Sequence, residues 1–421
     1  MALIVQKFGG SSVADPAGLR RVAKRIAQTS KAGNKVVVVV SAMGDTTDNL
    51  LDLAHNVTDN PPARELDILL TAGERISMSL LAMAVNDEGV VARAFTGQQA
   101  GLHTDARYGN ASITGIVPER IFRTVQDGAV AIIAGFQGVN DTNDVTTLGR
   151  GGSDTTAVAF AAALGADVCE IYTDVDGVLS ADPRIVPAAS QRRELSYEET
   201  LELAAHGAKV LHLRAVEFAR KFNVALHVRS SFSENEGTWI VEETAKQGGY
   251  EDAVVVGVAH DRNQGKISVT GVPNLPGSAA KIFSCVAEAD CNIDMIVQNT
   301  ALTRVGLSNI SFTVPRDQVD IAVAALRANQ TEFGFEDIAV TSEIGILSIV
   351  GAGMRSHSGV SSKLFKTLGD NGVNVDMIGT SEIRISVVVD PDVLDAAARA
   401  VHTAFGLDAS EEAIVYGGTG R

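Results

Sequence analysis

The stretch Thr146-Thr147-Leu148-Gly149-Arg150-Gly151-Gly152-Ser153-Asp154-Thr155-Thr156 decides how the rest of the chain is read. Three glycines, one guanidinium, one carboxylate and five hydroxyls fall within eleven residues. Gly149, Gly151 and Gly152 let backbone N–H groups approach an anion closely. Arg150 suits a bidentate grip on a carboxylate or phosphate, and Asp154 is placed to hold a metal or a lysine. The apolar residues 157–164 predict a helix directly behind the loop, and a helix N-terminus binds anions through its free N–H groups. A plain solvated turn has no use for a buried-type arginine followed by Ser-Asp-Thr-Thr. The loop does not end in Gly-Lys-Ser/Thr and is not a GxGxxG turn, so any nucleotide fold here is neither the Walker nor the dinucleotide-binding type.

Working outward, similar chemistry recurs at the ends of apolar runs. Leu3-Ile4-Val5 leads into Lys7-Phe8-Gly9-Gly10-Ser11-Ser12, and Leu19, Val22, Ala23 and Ile26 follow at helical spacing: strand, glycine turn, helix. A lysine ending a buried strand is costly unless its ammonium meets anions. Five valines at 36–40 predict a strand covered on both faces. Ser41-Ala42-Met43-Gly44-Asp45-Thr46-Thr47 comes after it, where open parallel sheets bind ligands. Glu74 falls among apolar neighbours in a helical segment, a place where an unpaired carboxylate is expensive. Residues 90–95 and 129–135 are further short apolar runs. Residues 168–172 predict a strand that runs into TDVDG and ADPR, with hydroxyl, carboxylate and guanidinium groups suited to a ribose, a phosphate and a metal. Residues 198–205 read as a helix, Lys209 follows in HGAKVLH, and residues 226–228 read as the last strand of this half.

A chain of 421 residues suffices for two or three domains with cores of their own. Its 35 basic and 51 acidic residues give a net charge of −16, which repels nucleic acid and anionic lipid. Cys169, Cys285 and Cys291 fit neither a CxxC pair nor a zinc site and read as reduced core residues of a cytoplasmic protein. The opening MALIVQKFGG lacks the parts of a signal peptide, and no apolar run approaches the ~18 residues of a membrane span. The histidines are scattered. His206 and His212 lack the i,i+4 spacing of paired ligands and read as surface or satisfied core groups.

The second half repeats itself. After a turn-rich, polar stretch ending near 251, Gly277-Ser-Ala-Ala-Lys-Ile-Phe283 recurs as Gly359-Val-Ser-Ser-Lys-Leu-Phe365, and Asn292-Ile-Asp-Met-Ile296 recurs at the same offset as Asn374-Val-Asp-Met-Ile378. Each copy reads strand, glycine-started helix, strand, strand, helix, a small βαββαβ sandwich without catalytic residues. The helix starts and Asn-x-Asp turns suit pockets for a small zwitterion.

KFGGSSV, VVVVVSAMGDTT, LLTAGERIS, TTLGRGGSDTTA, YTDVDGV with ADPR, and TSEIRIS occur in this order. With them the chain resembles, end to end, the monofunctional bacterial aspartokinases of the amino-acid kinase family, which carry two ACT domains. The resemblance implies an α/β fold. Residues 1–245 would form an open, mostly parallel sheet sandwiched by helices, and 250–340 and 341–421 two ferredoxin-like ACT domains. Fold-level analogy draws the first strand of the second ACT domain from 254–259.

The implied activity is transfer of the ATP γ-phosphoryl group to the β-carboxylate of L-aspartate, giving 4-phospho-L-aspartate, with Mg²⁺ carried by ATP. This is the first step toward lysine, threonine, methionine and diaminopimelate. Such a nucleophile is ionised at neutral pH and needs no general base, only alignment and charge neutralisation. By resemblance Lys7 would contact the transferring phosphoryl and Asp154 would hold Lys7. Ser41, Thr47, Glu74, Arg150, Gly151, Gly152 and Ser153 would bind aspartate, with Arg150 on its α-carboxylate and Glu74 on its ammonium. Lys7, Phe8, Gly9, Gly10, Thr173, Asp174, Asp182, Arg184 and Lys209 would bind ATP.

Lysine and/or threonine are the implied effectors, bound between ACT domains of a homodimer or homotetramer. Asn274, Gly277, Ala279, Asn292, Ile293, Asp294 and Gln298 in the first copy, and Val360, Ser361, Asn374, Val375, Asp376, Ser381 and Glu382 in the second, match that pattern. Two places depart from it. Asn274-Leu275 stands where relatives carry an acidic residue, and 300–316 has no Asp or Glu and adds Arg304, so a weaker or altered effector response is expected. No methionine lies between Met83 and Met295, which favours a single-subunit homo-oligomer over a separately started regulatory chain. Kinases of glutamate, acetylglutamate, carbamate or UMP share the glycine loops but not GERIS or the paired ACT units. A catalytically dead amino-acid sensor would have lost Lys7, Arg150 or Asp154.

Overall fold

The computed structural model describes residues 1–207, 210–243, 254–300, 306–355, 357 and 359–416. The first half runs β1 (Leu3–Phe8), α1 (Pro16–Lys31), β2 (Lys35–Val40), α2 (Thr46–Val57), α3 (Ala63–Leu70), α4 (Ala72–Asp87), β3 (Ala92–Phe95), α5 (Gly97–Ala100), β4 (Leu102–Thr104), β5 (Ile113–Ile116), α6 (Glu119–Gln126) and β6 (Val130–Ala134). It continues β7 (Gln137–Val139), β8 (Val145–Thr147), α7 (Gly152–Leu164), β9 (Val168–Thr173), β10 (Glu194–Ser196), α8 (Tyr197–Ala205), α9 (Leu213–Phe222), β11 (Leu226–Ser230) and β12 (Thr238–Val241). The second half runs β13 (Gly257–Pro273), α10 (Ser278–Glu288), β14 (Ile296–Thr300), β15 (Leu307–Pro315), α11 (Val319–Ala328), α12 (Gln330–Phe333), β16 (Asp337–Val350), α13 (Val360–Asp370), β17 (Met377–Thr380), β18 (Arg384–Val389) and α14 (Leu394–Ala404).

The valine run of β2 shows how the first half is layered. Val37 and Val39 enter one core, with Val5, Ala131, Ile133 and Phe160. Val36, Val38 and Val40 enter another, with Leu19, Val22, Ile26 and Leu81. Successive side chains of a strand point to opposite faces, so a strand buried on both sides has to be apolar throughout. The eight-stranded sheet has the order β10-β12-β11-β9-β1-β2-β6-β3, and only the β11–β12 pair is antiparallel. β12 lies beyond the strand at 226–228 that the sequence reading took as the last one. Its run is short and follows a polar loop, so periodicity did not expose it. A second sheet has the order β5-β4-β7-β8, and the glycine-rich loop follows directly after β8.

One sequence expectation needs correction. The helical stretch Ala63–Asp87, in which α3 and α4 meet at Thr71, is long and apolar enough to cross a membrane by length and composition. In the fold it is a packed helix pair: Leu81 and Val85 are buried, and so are the carboxylates Asp67 and Glu74.

The repeats share one antiparallel sheet of order β14-β15-β13-β16-β18-β17. Two long strands run through both copies. The 264–273 part of β13 pairs with β15, whereas Gly257–Asp261 pairs only with the Ile346–Val350 end of β16, beside β18. α10 and α13 begin at equivalent glycines, Gly277 (φ 93°) and Gly359 (φ 104°), whose left-handed backbone suits glycine. Leu179, Ala181, Val186 and Ala189 of the first half are buried in one cluster with Val258, Leu347, Ile349, Leu364 and Val387 of the second copy. The first-half loop between β9 and β10 thus belongs to the second copy's core. The boundary expected near 242–251 falls largely outside the described residues.

Candidate active site

The carboxyl ends of the central parallel strands meet at one place, and the glycine-rich loop closes over it. This edge of an open α/β sheet is the usual ligand site, because loops and helix N-termini face it. Lys7, near the end of β1, lies between Val39 of β2 and Ile171 of β9. Its Nζ is 2.6 Å from Asp154 Oδ1 at the start of α7, and both side chains are nearly buried. The carboxylate fixes the ammonium and offsets its desolvation. Gly9 and Gly10 follow. A Cβ on Gly10 would lie 3.0 Å from the carbonyls of Ala42 and Gly44, so only glycine fits between the β1 and β2 loops without a shift.

The glycine loop is tightly built. Gly149 (φ 77°) and Gly151 (φ 68°) are left-handed, and Gly151 caps α7, whose first-turn N–H groups open toward the site. The His212 ring covers this turn: a Cβ on Gly151 would come 1.9 Å from His212 Cγ. Burial holds the His212 imidazole below its ordinary pKa, and Arg150 and Lys7 push the same way against Asp154. Arg214 donates to Leu148 O at 3.0 Å and to Ala111 O at 2.8 Å. Asp67 accepts from Thr147 N–H (2.9 Å), Thr147 Oγ1 (2.8 Å) and Gly109 N–H (3.0 Å). Phe136, with φ 69°, packs against Gly152, and its N–H donates to Thr156 Oγ1 at 3.2 Å. A bulky residue at positive φ stores strain that surrounding contacts must hold.

Sequence reasoning missed Asp67, Phe136, His212 and Arg214. Only Asp67 left a signal, as a carboxylate in an apolar helical segment. For Gly151→Ala, with its collision and its positive φ, we expect activity to fall at least 10-fold with a loss of thermal stability, checked by steady-state assay and melting temperature.

Glu74 is 3% exposed. Its Oε1 accepts from Ala42 N–H at 3.1 Å, and its Oε2 has no hydrogen-bond partner. Burial pushes its pKa up from the ordinary 4.5 to about 7, against the pull of the Ala42 N–H. A buried carboxylate with an unpaired oxygen is a ready acceptor for a cation. Ser41, at the end of β2, accepts from Ser77 Oγ through its carbonyl at 2.7 Å. Ser153 is buried beside Gly135, where an added Cβ would sit 2.5 Å from Ser153 Oγ. Thr47 is half-buried at the start of α2. Arg150 is exposed, contrary to the buried type read from the sequence, because it lies on the crest of the loop between two left-handed glycines.

Next to β1, the end of β9 opens into a cleft lined by Thr173, Asp174, Pro183 and Arg184, with Asp182 and Val210. Thr173 Oγ1 donates to Asp174 Oδ1 at 3.1 Å, and Asp182 Oδ1 accepts from Arg184 N–H at 2.9 Å. On the opposite face of the sheet from Lys7, Phe8 stacks on Tyr172 at 4.6 Å. The fold thus brings Thr173, Asp174, Asp182 and Arg184 together. Lys209 lies outside the described residues.

The regulatory candidates divide. Asp294 lies 3.6 Å from Nε2 of His206, just past α8, and 3.7 Å from Arg384 Nη1 of β18, and Arg384 Nε is 3.2 Å from Glu202 of α8. Ser381 Oγ donates to Glu202 Oε1 at 3.4 Å. One charged cluster therefore ties both repeats to α8. Asp376 pairs with Lys266. The two Asn-x-Asp carboxylates are thus engaged by cations of this chain. Asn292 N–H donates to Gln318 at 2.8 Å, Asn274 N–H donates to Gly306 O at 2.8 Å, and Gln298 donates to Ser308 at 3.4 Å. Ala279 and Ile293 pack at the edge of the first copy's core, as Val375 does in the second. Val360 and Ser361 open α13, Asn374 lines a cleft with Asp376, and Glu382 lies between β17 and β18. Arg304 lies outside the described residues.

Among known proteins, residues 2–230 match the amino acid kinase family, and residues 267–330 and 347–405 match the ACT domain. The aspartokinase of Mycolicibacterium smegmatis is 57% identical over 422 residues, covering all of both chains. The crystal structure of aspartate kinase from Synechocystis has 43% identity and a TM-score of 0.54, covering 96% of this chain and 70% of that one. Aspartokinase III of E. coli, solved with aspartate and ADP, reaches a TM-score of 0.81 over 96% of this chain and 99% of that one at 24% identity, a likeness of fold.

Proposed function

Because the chain belongs to the amino acid kinase family as an ATP-dependent aspartate kinase with ACT domains behind its catalytic half, we propose that Lys7, Glu74, Arg150 and the glycine loop are its aspartate and phosphoryl sites. The observation that carries this reading is the Lys7–Asp154 pair, a fixed positive charge under the N-terminus of α7. The substrate ammonium would pair with Glu74 Oε2 and its α-carboxylate with Arg150. The β-carboxylate would then face the γ-phosphorus in line with the leaving oxygen of ADP. As the bond to the β-carboxylate oxygen forms and the bond to ADP breaks, charge on the transferring group would be met by Lys7 and the loop N–H groups. No proton moves, so no base is required.

ATP would lie in the cleft of Thr173, Asp174, Asp182 and Arg184. The oxygen donors of Asp174 and Asp182 suit Mg²⁺, and no three ligating side chains cluster among the described residues. The ion would therefore arrive mainly on the nucleotide phosphates, where it neutralises their charge. The ACT halves would take lysine and/or threonine, with a response weakened by the missing acidic residues. Pairing of two chains through the exposed edges of the six-stranded sheet, where Ile296 and Ile378 are about half exposed, would make a homodimer or homotetramer. A cytoplasmic enzyme opening the pathway to lysine, threonine, methionine and diaminopimelate follows from this reading.

The test is MgATP-dependent formation of aspartyl hydroxamate from L-aspartate, with L-glutamate as control and lysine, threonine and both added. Turnover with aspartate alone and incomplete inhibition by both effectors are expected. Full inhibition at sub-millimolar lysine plus threonine would remove the proposed weakening of the regulatory half.

A further inference from the structure

We propose that residues 413–416, beyond the last helix of the second repeat, are part of the nucleotide site. Val415 is an apolar wall of its cleft, and Tyr416 clamps the loop that carries Asp174. This rests on reading that cleft as the ATP site. Val415 lines it together with Thr173, Asp174 and Arg184, although more than two hundred residues of chain intervene.

The placement is held at several points. Val415 forms an antiparallel bridge with Val175, and Tyr416 N–H donates to Asp174 O at 2.8 Å. Tyr416 OH donates to Asp176 Oδ2 at 3.1 Å, and its ring stacks on Phe232 at 5.9 Å. Farther back, Ala413 N–H donates to Pro187 O at 2.9 Å and Ala409 N–H to Ala188 O at 2.7 Å. His402 Nε2 lies 2.7 Å from Ser180 Oγ, and its Nδ1 lies 2.7 Å from Asp408. Both sides of the loop bearing Asp182 and Arg184 are thereby fastened to the end of the second repeat. Ile414 is 57% exposed while Val415 is half-buried, the alternation of a strand with one side chain turned to the protein.

The chemistry agrees with the placement. Asp174, Asp182, Arg184 and Thr173 are polar groups suited to ribose and phosphate. A purine also presents two apolar faces, and apolar side chains complete such sites. Val415, Val210, Leu179 and Pro183 supply that surface here. An acidic side chain at 415 would meet two carboxylates and an anionic ligand. A change of shape alone would leave that charge balance intact.

The experiment is steady-state kinetics of the full chain with both substrates varied, on Val415→Asp, Val415→Thr and Val415→Ile, with Arg184→Ala as reference. V415D is expected to raise KM for ATP at least 10-fold with KM for aspartate within twofold. V415T, nearly isosteric, is expected to raise it about 3-fold, and V415I to stay within twofold of the parent. If V415D does not melt cooperatively, V415T decides by the same readout. ATP KM unchanged in V415T and in any folded V415D, with R184A raised, overturns the proposal and leaves the cleft as the ATP site. Equal rises in both KM values also overturn it, because they mark a general structural role. ATP KM unchanged in R184A as well removes the ATP reading of the cleft and the proposal with it.

Discussion

Lys7→Met is expected to lower kcat about 1,000-fold while the protein still binds aspartate. Lys7 is held 2.6 Å from Asp154 at the start of α7, and a fixed donor aimed at developing charge commonly contributes two to three orders of magnitude. The same substitution strands the buried Asp154 carboxylate, so melting temperature falls too. Adding Asp154→Asn removes the stranded charge. The double variant should therefore regain most of the lost stability and none of the lost turnover. Recovery of turnover in the double variant would show that Lys7 serves only to neutralise Asp154.

Glu74→Gln is expected to raise KM for aspartate at least 100-fold and to stabilise the ligand-free enzyme above neutral pH. The two effects have one cause. Burial raises the Glu74 pKa to about 7, above its ordinary 4.5. A carboxyl group raised in this way favours the folded state fully below pH 4.5, and the contribution is lost as pH rises through 7. At pH 8 the ionised group is buried without a cation, at a cost of up to about 3 kcal/mol. Glutamine keeps the Ala42 N–H bond and avoids the charge. The variant should therefore melt higher than the parent at pH 8 and not at pH 4. In the parent, aspartate must meet the ionised form, so KM for aspartate should rise about tenfold per pH unit below 7. A flat KM profile between pH 5.5 and 8 would detach Glu74 from the substrate ammonium.

What could be read in the sequence was whatever one segment specifies by itself. The valine run announced a two-faced strand, the glycine-rich loop announced a turn ahead of a helix, and the offset between Gly277 and Gly359 announced a duplicated unit. Glu74 stood out because a carboxylate among apolar residues needs a reason. Other features depend on packing between distant segments. His212 looked ordinary because its value lies in covering Gly151, sixty-one positions earlier in the chain. Phe136 carries no mark of its positive φ. Leu179, Ala181, Val186 and Ala189 sit in an irregular loop without period, so nothing suggested that they fill the core of the second repeat. Arg150 was misjudged as buried because loop composition does not say which side chain crowns the crest.

That shared core bears on how the protein is born. Ribosomal synthesis delivers β1, the glycine loop and the β9 end early, and the parallel sheet can gather as they emerge. Leu179 and its neighbours then have no partner until Leu347, Ile349 and Val387 have been made, and Val175 has no strand beside it until Val415 arrives. A nascent catalytic half would show an apolar, unfinished loop to solvent for the time needed to make the rest of the chain. Premature termination should therefore yield an aggregating, chaperone-bound fragment.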